Sequence, residues 1–322
     1  MAIKYTNNSG LVTAPMWENL ANQLRADYLS GRGATDASVT QLIGNPLITA
    51  LRDKHKDEII VDITDTLAMS DGSVSHKAWE NSAPEYWLTE YRFYREVNGW
   101  LISGQADIII PTETEEDGTI VSCILGDYKK TSMTKLKKEV EDLPDFTAQL
   151  NMLNWLMQDP CLVEDGQGNK VDWTPPEVEK HLIVGYAKNF SLVSAARNSF
   201  PNQVIEIEMP IWKNKKMERY VNKRVKLHQD FRALESIPED AECSKSERYG
   251  SDPIYAVMKE GRKSSLKNCS SQEEAEAYIE KHKDKKKLIV QFRPPIDLKC
   301  EFYCEVEKFC PYRNKKVELS LF

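Results

Sequence analysis

Asp107, Asp127 and Lys129 are the residues whose types and spacing most directly suggest chemistry. Asp127 and Lys129 stand two apart in ILGDYKKTS, and Asp107 lies in SGQADIII. Side chains two apart on a strand face the same side. Asp127 and Lys129 are therefore expected to point together, and a neighbouring strand can bring Asp107 beside them. Two carboxylates facing a lysine suit phosphodiester hydrolysis. The carboxylates would hold Mg2+ or Mn2+, hard cations that prefer oxygen ligands, and such an ion polarises the phosphate and acidifies a water. The lysine can orient or deprotonate that water and stabilise the developing negative charge. The competing reading is an ordinary salt bridge between Asp127 and a nearby lysine. Against it, both acids are read as terminating strongly apolar runs, where an acid without a metal or cation partner is costly.

A second set of chemistry-bearing residues lies near the C-terminus. Cys300, Cys304 and Cys310 sit in KCEFYCEVEKFCPYRN. Three thiolates at this spacing need a fourth ligand to close a zinc site or to hold an iron–sulfur cluster. Cys243 in AECSKSERYG is the candidate, with Cys269 the alternative. The competing reading is a set of reduced, buried thiols.

The elements that must position these residues follow from periodicity. Trp17, Leu20, Leu24 and Tyr28 recur at helical spacing over residues 15–30. Pro46 marks a helix start or kink, and Ser70-Asp71-Gly72 reads as a turn before a helix over Val74–Glu80. The runs Tyr91–Val97, Trp100–Ile110 and Thr119–Asp127 are rich in β-branched and aromatic residues. Asn98-Gly99 between the first two is a strong hairpin signal, which predicts three consecutive antiparallel strands. A helix over Asp145–Met157, strands at His181–Ala187 and Ile205–Ile211, and a charged helix over Lys213–Leu234 complete this part. Beyond it, strands at Tyr255–Met258 and Leu288–Phe292 flank a turn at Glu260-Gly261 and a helix at Gln272–His282. The pattern predicts an α/β chain with a mixed central sheet flanked by helices. Its divisions are a helical N-terminal region over 1–75, a core over 76–236, and a small α+β module with the cysteines over 237–322.

The order of these motifs resembles the RecB-like and CRISPR-associated exonuclease branch of the PD-(D/E)XK nucleases. That branch carries G-x-x-x-H, a glutamate, G-x-x-D, D-Y-K and a glutamine-led helix. Here the corresponding residues are Gly72-Ser73-Val74-Ser75-His76, Glu90 (or Glu96 in its place), Gly104-Gln105-Ala106-Asp107, Asp127-Tyr128-Lys129 and Gln149. The resemblance covers residues 36 to 190. It implies a restriction-endonuclease-like core with His76, Asp107 and Asp127 as metal ligands and Lys129 as the catalytic lysine. Gln149 would orient the site or the nucleic acid. A tyrosine often follows the family's glutamine by four residues, and here that position is Leu153. The branch also often holds a 4Fe–4S cluster on C-terminal cysteines together with one upstream of the core. No cysteine precedes Cys123, so zinc stays as the alternative to the cluster.

The totals are compatible with this reading. Lysine and arginine number 43 against 50 acidic residues, a formal net charge of −7. That argues against a protein that coats nucleic acid without specificity, because such binding rests on phosphate neutralisation. Basic stretches still occur at Lys213–Arg224 and Lys281–Lys287. The opening residues lack the pattern of a signal peptide and no apolar run reaches the length of a membrane span, so a cytoplasmic protein without a membrane partner is expected, with disulfides disfavoured among the seven cysteines. The leading expectation is a Mg2+- or Mn2+-dependent deoxyribonuclease, most simply an exonuclease acting on DNA in recombination, repair or phage DNA processing. The alternatives are a nuclease-fold protein of weak activity that binds DNA or a partner, and a structural metal-binding protein.

Overall fold

A computed structural model describes residues 4–10, 18–20, 22, 35–198, 202–283 and 287–320. The helix expected over residues 15–30 lies mostly outside the described residues. The chain divides into two compact units, Met1–Glu235 and Ser236–Phe322.

The first unit opens with a parallel pair, β1 (Lys4–Thr6) and β3 (Ile60–Asp62). Between them lie β2 (Ala37–Ser38), α1 (Val39–Ile43) and α2 (Pro46–Lys54). Ser38 caps α1 through a reciprocal capping box with Gln41. Asn45 caps α2 and Pro46 takes its first turn, where a missing N–H costs nothing. Helix α3 (Leu67–Asn81) runs straight through Ser70-Asp71-Gly72. The turn expected there is therefore a helix interior, and the helix begins seven residues earlier than its polar segment suggests.

Three long strands follow: β4 (Leu88–Val97), β5 (Trp100–Thr114) and β6 (Ile120–Thr131). Asn98 and Gly99 turn between the first two with φ of 50° and 77°, the left-handed pair that a tight hairpin requires. Then come α4 (Met133–Leu136), α5 (Pro144–Met157), β7 (Leu162–Glu164), β8 (Glu177–Ala187), α6 (Leu192–Asn198), β9 (Val204–Met209) and α7 (Asn214–Ala233). The main sheet is seven-stranded in the order β7-β4-β5-β6-β8-β9, with β2 also paired to β5. It is mixed: β6 and β8 run parallel and the remaining long neighbours antiparallel. Helix α5 is buried along most of its length. Phe146, Leu150, Leu153 and Leu156 meet Phe93, Ile102, Ala106, Ile109 and Leu125 of the sheet in one core. Arg224 of α7 donates to the carbonyls of Leu42, Ile43 and Gly44, closing the C-terminal end of α1. The basic stretch Lys213–Arg224 thus includes a structural clasp.

The second unit is a three-stranded antiparallel sheet in the order β11-β10-β12, from β10 (Ile254–Lys259), β11 (Ser265–Cys269) and β12 (Leu288–Arg293). Strand β11 was not evident from the sequence, because SLKNC is short and half polar. Helix α8 (Gln272–Lys281) packs Ala275, Tyr278 and Ile279 against Val257, Cys269 and Leu288. Two further helices, α9 (Leu298–Phe302) and α10 (Pro311–Ser320), end the unit. Among the described residues no helix is long and apolar enough to cross a membrane.

Candidate active site

Strand register assembles the site. Thr89 pairs with Ile108 and Tyr91 with Ala106, which sets Glu90 opposite Asp107; Ile108 pairs with Gly126, which sets Asp107 next to Asp127. Glu90, Asp107 and Asp127 thus form a row across β4, β5 and β6. The two aspartates do not end their strands, as the sequence suggested. Strand β5 continues to Thr114 and β6 to Thr131. The acids sit instead where the β5–β6 ladder stops: Ile108–Gly126 is its last pair, and beyond it the Tyr128 N–H donates to Asp107 Oδ2 at 2.8 Å. A ladder that opens mid-strand frees donors and acceptors inside the fold rather than at its rim.

Glu90 has φ of 58°, a left-handed conformation that costs a non-glycine residue about 1–2 kcal/mol. The break in β4 is held by Gln105, whose Nε2 donates to the Glu90 carbonyl at 3.1 Å and whose Oε1 accepts from Arg92 at 2.5 Å. Strain of this kind concentrates at functional sites. Here it accompanies the gathering of His76, Glu90 and Asp107, which each offer one ligand atom with all such atoms within 4.8 Å of one another. His76 comes from α3, its Nδ1 3.4 Å from Asp107 Oδ2. Glu96, the substitute for Glu90, is exposed further along β4 and is not in this group.

Asp127 stands outside that group of three and has two other partners. Its side chain is 1% exposed, with the Lys129 ammonium 2.6 Å from Oδ2 and Gln149 Nε2 donating to Oδ1 at 2.5 Å. The Lys129 contact is an ion pair, but its direction falls short of a hydrogen bond, so the buried Oδ2 has no directed donor. Gln149 projects from α5, and Leu153 on the same helix is a core residue.

The electrostatics describe an acid cluster short of positive charge. Burial, then the Asp127 and Glu90 carboxylates, push Asp107 well above the usual carboxylate range, with Lys129 opposing. Glu90 is pushed up to about 7, first by burial and next by Glu80. Burial holds the His76 imidazole below its ordinary value, in the neutral form that ligates metal. Oxygen and imidazole donors crowded so closely fit a divalent cation, which would favour the ionised carboxylates that burial and mutual repulsion disfavour.

Two motif glycines have different standing. A Cβ on Gly104 would lie 2.6 Å from Leu153 and 2.8 Å from Leu156 and Val39, so this position is fixed by packing. Gly72 faces open space within α3, and nothing in the structure requires glycine there. Two sets of residues near the site escaped the sequence reading. Trp79 of α3 stacks between Tyr128 and Tyr186, at 4.9 and 5.9 Å, and beside His76 at 5.7 Å, tying α3 to the sheet. Lys135 on α4 lies 4.5 Å from the Phe146 ring that Lys129 also overlies at 5.7 Å. The signal for it was the run of five lysines between 129 and 138, which the sequence shows beside the two basic stretches Lys213–Arg224 and Lys281–Lys287. Of those, residues 284–286 lie outside the described set.

Within the second unit, Cys243, Cys300 and Cys310 are buried and Cys304 is partly so. Their thiols are close enough to act on one another electrostatically. Burial and then neighbouring charges, Cys310 and Cys304 among them, push Cys243 up to about 12. Cys300 is pushed up to about 11 by burial and next by Cys304. Cys269 belongs to the small core under α8. Arg248 and Asp297 hold the three cysteine-bearing segments together. Arg248 donates to the Cys243 carbonyl and, at 3.3 Å, to Asp297. Asp297 precedes α9 and also accepts from Tyr312 and Lys316 of α10, each at 2.8 Å. Among the described residues no three of these thiols gather within 4.8 Å of one another, so the cysteines are neighbours without the close spacing of a tetrahedral zinc site.

No family model matches this sequence, and no curated protein matches it. The solved structure of SSO0001 is similar over 66% of this chain and 87% of that chain, with 18% identity and a TM-score of 0.43. The fold and site define a mixed α/β protein whose central mixed sheet, flanked by helices, carries a partly buried acidic cluster beside a lysine.

Proposed function

We propose that this protein is a Mg2+- or Mn2+-dependent deoxyribonuclease with a PD-(D/E)XK core, most simply an exonuclease. One observation carries the reading: His76, Glu90 and Asp107 converge within 4.8 Å, and the two acids stand in the same strand row as Asp127, which pairs with Lys129 at 2.6 Å. In this reading His76, Glu90 and Asp107 hold the cation, and Asp127 joins them as Lys129 turns to the substrate. A bound cation would supply Lewis-acid activation of the phosphodiester and of the attacking water. Lys129 orients that water and balances the negative charge that develops on phosphorus oxygens. Gln149 keeps Asp127 aligned through its Oδ1. Pathways in recombination, repair or phage DNA processing use such an activity, and a cytoplasmic setting suits it.

The test is degradation of linear and circular DNA with Mg2+, Mn2+ or chelator. Metal-dependent loss of linear DNA that disappears in Lys129→Ala supports an exonuclease; cleavage of the circle reassigns it as an endonuclease. Binding of DNA without cleavage under every metal favours instead a nuclease-fold binding protein.

The cysteine centre belongs to the same proposal. Cys243, Cys300, Cys304 and Cys310 would hold a 4Fe–4S cluster or a structural zinc ion. A brown, iron-containing protein identifies the first, and a colourless protein with stoichiometric zinc the second. Protein prepared without oxygen that contains neither metal removes this centre from the reading.

A further inference from the structure

The geometry points to Lys135 as a phosphate-binding residue, which takes a backbone phosphate of the nucleic acid next to the one being cleaved. This rests on the nuclease reading of the same site and extends it to substrate positioning. Helix α4 holds Lys135 in place. Ser132 Oγ accepts from the Lys135 N–H at 3.2 Å, and Asn189 Oδ1 accepts from the Met133 N–H at 2.8 Å. Met133 and Leu136 are buried against Ala187. The Lys135 stem is half-buried and its ammonium stands over the Phe146 ring, on which Lys129 also rests.

The charges around it are unbalanced. Burial holds Lys135 below its ordinary value; Asp145 opposes that, while Lys129 and Lys138 add to it. Lys129 is paired with Asp127. Among the described residues no carboxylate reaches Lys135 within the 4.0 Å of an ion pair. Like-charged ammoniums crowded at a partly dry site are unfavourable alone and favourable around an anion. The position next to the catalytic lysine, in a chain with net charge −7, makes that anion the substrate backbone. A phosphodiester needs only such point charges to be held in register.

The experiment uses the full chain with a fluorescein-labelled DNA oligonucleotide, single-stranded and duplex, in Ca2+ to hold back turnover. Lys135→Ala and Lys135→Gln are compared with wild type and with Lys226→Ala, whose ammonium pairs with Asp230 at 2.7 Å. The glutamine keeps most of the stem over Phe146. We expect both Lys135 variants to bind about 5–10-fold more weakly and to lose about 0.7–0.9 from the slope of log K against log salt, the signature of one phosphate contact. Under turnover conditions KM should rise with kcat within about twofold, as for loss of uniform binding. Lys135→Arg should restore the slope. Unchanged affinity and slope in both variants, with wild-type protein that binds and cleaves, overturns the role of Lys135 and leaves the nuclease reading standing. A wild-type protein that neither binds nor cleaves the oligonucleotides overturns both.

Discussion

Lys129 and Asp127 are paired at 2.6 Å in the structure, and the proposed nuclease chemistry assigns both a part in the reaction. Lys129→Ala and Asp127→Asn are each expected to lower the cleavage rate by on the order of 10²–10³ or more while the protein stays folded, as checked by rate and circular dichroism together. Near wild-type hydrolysis in either variant removes the site from this row. Glu90 makes a sharper test, because its two properties pull apart. Glu90→Gly relieves a left-handed φ and should leave the thermal midpoint unchanged or raised by about 1 kcal/mol of stability. It should also weaken Mn2+ binding tenfold or more, about 1.4 kcal/mol, by isothermal titration. A variant that is less stable and binds Mn2+ normally would make Glu90 a structural residue.

Strand pairing and helix docking place those side chains. Strands β4, β5 and β6 put three acids in one row, α3 brings His76 to it, and α5 brings Gln149. The close approach of α5 and α1 to β5 depends on Gly104, which leaves no room for a methyl group between Leu153, Leu156 and Val39. These contacts lie in a full core, so the neighbours have little space to move. Gly104→Ala should lower stability by about 1–3 kcal/mol, read from the urea midpoint. Gly126 is similarly closed, with a Cβ 2.6 Å from Ile108, beside Asp107. Gly126→Ala should reduce activity as well as stability, which separates it from Gly104→Ala.

Across the first unit, buried histidines tie stability to pH. His181 is fully buried and held at about 4 by its burial; His228 is also at about 4, through burial and then Arg224. An unfolded chain protonates histidine near 6.5, so between about 4 and 6.5 the unfolded state binds more protons. Stability is therefore complete above about 6.5 and falls as pH drops towards 4, by on the order of 3 kcal/mol for each histidine. His181→Gln should flatten the pH dependence of the urea midpoint in that window, and an unchanged slope would show that His181 does not set it. In the second unit, a metal on the cysteines as proposed would contribute folding free energy, and Cys304→Ser should then release it and lower the denaturant midpoint of that unit. Full metal content in this variant would exclude Cys304 as a ligand.

The identity of the chemical groups was already determined in the sequence. Asp107, Asp127 and Lys129 could be selected from it because D-x-K at strand spacing keeps two side chains on one face whatever the fold around them. The Asn98-Gly99 hairpin was equally local, since only a left-handed pair closes so short a turn. Helix α3 shows where local reading fails: Ser70-Asp71-Gly72 carries turn residues, yet packing of Trp79 and His76 against the sheet keeps the chain helical. Only tertiary structure could choose Glu90 over Glu96, because both are exposed-looking acids on one strand. The choice depends on register with Asp107 and on a left-handed backbone that no propensity signals. Likewise, Asp127 is held by Gln149 and Lys129 while Glu90 joins His76 and Asp107, because long-range pairing sets distances between strands and sequence spacing does not.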